Sequence, residues 1–94
     1  MFVSHKTYDL LVSHGYPEGP IPHAVDALEW LRSNYDYLYE RWDETIGEAA
    51  IGRPCWWAQR RGERGKSRAL VSGTAAELVG MICVEIAERY SGND

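Results

Sequence analysis

The sequence predicts an α+β fold, a three-stranded antiparallel sheet with helices packed on it in the order α-α-β-β-β-α. Three observations carry that prediction. Apolar residues recur at helical spacing in three separate segments. Between the second and third of these lie short aromatic runs divided by glycine and proline, the pattern of strands and their connections. Helices and strands are grouped rather than strictly alternating, which favours an antiparallel sheet with its helices on one face. At 94 residues the chain is long enough for one domain.

The elements follow in order. Ser4 is placed to cap a first helix with Tyr8, Leu11 and Val12 on its apolar side, and Gly15 and Pro17 close it. Residues 1–15 are expected to form a helical arm. Residues 16–22 hold three prolines and read as an extended connector, and residues 23–90 as the α-β-β-β-α body. In the second helix, 23–35, Ala24, Leu28, Leu31 and Tyr35 share one face, and Asp26 and Glu29 suit the positive end of the helix dipole. Tyr37–Trp42 and Cys55–Arg60 read as aromatic strands, and 67–72 as a third strand after a glycine-punctuated turn. Thr74-Ala-Ala-Glu77 has the form of a capping box, with the Thr hydroxyl serving the amide three residues on and the Glu reaching back. Leu78, Val79, Ile82, Ile86 and Tyr90 form the apolar stripe of the helix it opens.

Charge is distributed unevenly. Six of the ten basic residues, Arg53, Arg60, Arg61, Arg64, Lys66 and Arg68, fall within 53–68, beside Trp56 and Trp57 and with Glu63 as the one acid there. That stretch carries +5 and the other 78 residues −9, which gives the net −4. Opposed potentials on a small surface concern partners more than fold. Arginine with tryptophan suits an acidic protein surface, where both residue types anchor interfaces, or single-stranded nucleic acid, where rings stack and guanidinium groups neutralise phosphate. The bland alternative is a solvated turn that blunts a strand edge. A second, acidic face of Asp36, Glu40, Asp43, Glu44 and Glu48 offers a contact for a basic partner, or is a solvated edge.

The residue types needed for catalysis are not grouped. Gly65-Lys66-Ser67 resembles the end of a phosphate loop, but Arg60 stands where that motif needs glycine. His5, His14 and His23 are nine residues apart, a spacing that fits no ligand set on one helix. Cys55 and Cys83 form no CxxC and read as free thiols in a reducing compartment. No cofactor, no metal and no enzyme activity are expected. No apolar run is long enough to span a membrane, and the first residues lack the form of a secretion signal, so a cytoplasmic protein is expected. Met81, Val84 and Ala87 lie beside the last helix's stripe, where they widen the core or form a contact with a partner or a second copy in a homodimer.

Ala27-Leu-Glu-Trp-Leu-Arg32, the strand bearing Trp56-Trp57, and Gly73-Thr74 opening a helix together resemble small phage and prophage proteins with an alpha-beta-alpha sandwich domain. The resemblance spans 24–90 and gives Trp30, Trp57 and Thr74 structural positions. It implies an accessory protein without catalytic residues that occludes a host protein complex, as anti-CRISPR inhibitors of CRISPR effectors do. Such a protein would act in the host cytoplasm.

Overall fold

Tyr37–Trp42 (β1), Cys55–Arg60 (β2) and Leu70–Ser72 (β3) form one antiparallel sheet in the order β1-β2-β3. The computed structural model describes residues 1–42, 55–60 and 69–91. With helices His5–Ser13 (α1), Ala24–Tyr35 (α2) and Ala75–Ser91 (α3), the order is α-α-β-β-β-α and the class α+β. Both long strands have the bounds their aromatic composition predicts. The third, expected over 67–72, is strand at Leu70–Ser72, and 67–68 lie outside the described residues.

Each helix end has a local cause. Ser4 takes extended geometry and its hydroxyl accepts the Thr7 amide at 3.1 Å. At the other end of α1 the Tyr16 amide reaches the Leu11 carbonyl at 2.9 Å and the Gly15 amide reaches Val12 at 3.0 Å. This double closure is a Schellman motif. It needs a positive φ at its turning residue, which Gly15 supplies at 107°. α2 turns instead through Asp36, at φ 61° and ψ 35°, a left-handed conformation that costs a residue with a Cβ. Asp36→Gly is therefore expected to raise the unfolding free energy by about 0.5–1 kcal/mol. Thermal melting checks this, and a lower melting temperature would refute it.

The capping box before α3 forms by half. The Glu77 amide donates to the Thr74 hydroxyl at 3.1 Å, as its spacing predicts. The Glu77 carboxylate does not close the box. It accepts the Ser72 hydroxyl at 2.5 Å, and the Ser72 oxygen takes the Thr74 amide at 3.3 Å. A serine at the end of β3 thus does the work expected of the glutamate, and ties the strand to the helix it leads into.

The core lies between the helices and one sheet face. Leu28 and Leu31 of α2, Leu78, Ile82 and Ile86 of α3, Leu11 of α1, and Tyr37 and Ala58 of the sheet are all almost fully buried. α2 packs on β1, and α3 packs on β2 and β3. α1 joins this assembly through α3 and shares the core by Leu11. Where they meet, the Gly80 backbone lies against the buried Thr7, and a Cβ at Gly80 would lie 3.2 Å from the Thr7 hydroxyl.

Polar contacts hold the N-terminal residues to the body. The Val3 amide donates to Pro22 at 3.1 Å and the Ala24 amide to Met1 at 2.8 Å, so the chain start caps α2. Phe2 stacks on His23 with ring centres 4.1 Å apart. The Tyr8 hydroxyl accepts the Gly19 amide and donates to the Gly19 carbonyl, which clamps the proline-rich connector. The Tyr35 hydroxyl donates to the His14 carbonyl, and His14 Nε2 donates to the Cys83 carbonyl at 3.2 Å. His14 is thus a joint between α1 and α3.

Candidate docking surface

The sheet has two unlike faces, because successive strand residues point to opposite sides. The register sets Arg41 opposite Trp56, Tyr39 opposite Ala58 and Tyr37 opposite Arg60, and this is the side on which the helices pack. The other side carries Leu38, Glu40, Cys55, Trp57, Gln59 and Val71. Here Trp57 lies in the middle strand between Glu40 and Val71. Leu38 is 38% and Val71 53% exposed, so apolar groups on this outer face meet solvent.

Adjacency in sequence therefore separates the two tryptophans. Trp56 is on the helix side, against the core, with its ring stacked on Tyr39 at 6.4 Å and the Arg41 guanidinium 5.9 Å from its centre. Trp57 is on the outer side. Of the predicted basic residues, Arg60 lies on the helix side opposite Tyr37. The Tyr37 hydroxyl donates to the Glu85 carboxylate, and its pKa is driven well above the ordinary tyrosine value. Burial is the main cause, the bond to Glu85 the next, and Arg89 and Arg60 oppose both. Arg60 thus shares the field of this pair. Of the predicted acids, Asp36 ends α2 and Glu40 faces outward beside Trp57. Arg53, Arg61, Arg64, Lys66, Arg68, Asp43, Glu44 and Glu48 lie outside the described residues.

A cavity of about 600 Å³ opens on the helix side where α2 and α3 begin, with Met1, His23, Arg41, Trp56 and Thr74 in its wall. The His23 side chain makes no capping bond at the start of α2, and Asp26 sits in its first turn and lines the same cavity. Nearby, the Tyr39 hydroxyl donates to Glu29. Burial first and that bond second raise the Tyr39 pKa to about 12. Cys83 is fully buried and its thiol is pushed up to about 12 by burial, so it stays protonated and unreactive near neutrality. Cys55 is a free, half-buried thiol on the outer face.

Sequence reasoning singled out Trp57 and Glu40 but missed Leu38 and Val71, which complete the apolar patch around them. The alternation of Leu38 with the tyrosines was a readable signal. The placement of Val71 beside Trp57 needed the strand register. Among the described residues no helix is long and apolar enough to cross a membrane. No protein-family model, curated protein or solved structure matches the chain.

Proposed function

We propose that this chain is a non-enzymatic binding protein that docks on another protein through the outer face of its sheet. The observation that supports this most is Trp57 set in the middle strand between Glu40 and the exposed Val71, on the side away from the helices. A large aromatic ring with apolar neighbours and a polar border is the usual make-up of an interface anchor. The resemblance to small phage proteins sets a host protein complex, CRISPR effectors included, first among partners to try, with occlusion as the mode of action. A stable blockade needs about 800 Å² from each partner, which one face of a domain this size can supply.

The nucleic-acid reading rests on the +5 stretch of the sequence. It is weakened by the placement of Trp56 and Trp57 on opposite faces, since stacked bases need rings on one surface. Capture from a candidate host lysate, run in parallel with wild type, Trp57→Ala and Val71→Asp, tests the proposal. A stoichiometric protein retained by wild type and lost at least about tenfold with either variant, at unchanged melting temperature, is the expected result. A partner retained equally by all three would refute the outer face. Binding to DNA or RNA that falls steeply with salt would favour the alternative.

A further inference from the structure

On the helix side of the molecule, away from the outer face, a groove of about 780 Å³ runs along the solvent side of α3. Leu10 of α1 and Leu70 of β3 form its walls, and Met81 and Val84 its floor. Val84 is 48% exposed, so it does not widen the core.

Glu77, Met81, Val84 and Glu88 are spaced four, three and four residues apart, which sets them on a single stripe of the helix. Two apolar residues are thus bracketed along the axis by carboxylates. Glu85 lines the groove as well, and among the described residues Lys6 on the α1 side and Arg89 are its cations. Arg89 lies in the field of the Tyr37–Glu85 pair, and Lys6 belongs to a wall rather than the stripe. Glu88 sits in the last turn of α3, where the helix dipole already presents negative charge. A carboxylate there opposes its own helix, and a cation brought by a partner would relieve that opposition.

We infer that this groove is a second docking surface, and that its occupant is an amphipathic partner helix with apolar residues one turn apart flanked by lysine or arginine. The apolar side chains would enter between Leu10 and Leu70 over Met81 and Val84, in the manner of helix-in-groove recognition. The flanking cations would meet Glu77 and Glu88. The inference does not depend on the outer face being a docking site.

The test uses the full chain, labelled for amide NMR, and two synthetic helical peptides with the same leucines. One is flanked by lysines and the other by glutamates. The lysine-flanked peptide is expected to move the amide signals of Leu10, Met81 and Val84, and to bind about tenfold or more tighter than its counterpart. Val84→Asp and Glu88→Lys are each expected to weaken it about tenfold. Glu88→Lys relieves the dipole conflict, so it keeps the test decisive if the aspartate variant folds poorly. Equal binding of the two peptides, no binding, or shifts confined to β1 and β2 would overturn the inference. So would concentration-dependent self-association through the same residues, which would assign the groove to a second copy of this chain.

Discussion

Leu11→Ala is expected to lower the unfolding free energy by about 3 kcal/mol, within the usual range for deleting a buried leucine. Leu11 is fully buried, yet it belongs to the first helix, which is also held to the body by the packing of Leu10 and of Thr7 against Gly80 and by hydrogen bonds at His14. The cavity would open between α1 and the main core. For a domain this size each kcal/mol corresponds to roughly 4–8 °C in melting temperature. The loss should appear as one shifted cooperative transition, because the core cluster includes Leu11 together with Leu31 and Ile82. A detached arm predicts the opposite: an almost unchanged main transition, with any effect confined to a separate minor one.

Raising the pH from 9 to 12 is expected to remove about 4 kcal/mol of stability through Cys83 alone. The thiol's ordinary value is 9.0 and burial pushes it up to about 12 in the fold. A group whose pKa is raised by folding holds its proton more tightly when folded. Its contribution is complete below pH 9, falls by about 1.4 kcal/mol per pH unit above it, and is gone above 12. Tyr37 acts in the same direction from its ordinary value of 10.0 upward, because burial and its bond to Glu85 favour the neutral phenol. Cys83→Ala should therefore shift the onset of the alkaline decline from near pH 9 to near pH 10. Denaturant titrations at several pH values read this as a change of slope, independent of any fixed cost of the substitution. An unchanged onset would contradict it.

Much of the fold was legible because its signals are local. Ser4 supplies a capping hydroxyl and Gly15 a positive φ that few other residues adopt, so they mark the first helix from both sides. The aromatic density of Tyr37–Trp42 and Cys55–Arg60 marks both long strands. The end of α2 was less legible, since Asp36 adopts the left-handed turn without the glycine that would announce it. The capping of α3 was misread in part because it depends on Ser72, a residue of the preceding strand brought near by the sheet.

The candidate surface was legible only in outline. Composition drew Trp56 and Trp57 together, but the pleat sends them to opposite faces, and only register shows that Val71 and Glu40 flank the second. The apolar strip on the last helix was visible from its spacing. That it forms a groove with Leu10 and Leu70 was not, because those walls come from the start of the chain and from β3.

Hydrogen exchange on the complex captured from host lysate tests the central claim most directly. Docking through the outer face predicts slowed exchange across Tyr37–Trp42 and Leu70–Ser72 relative to the free chain, and no such slowing with Trp57→Ala. Unchanged exchange in both strands, with protection found elsewhere in the molecule, would contradict it.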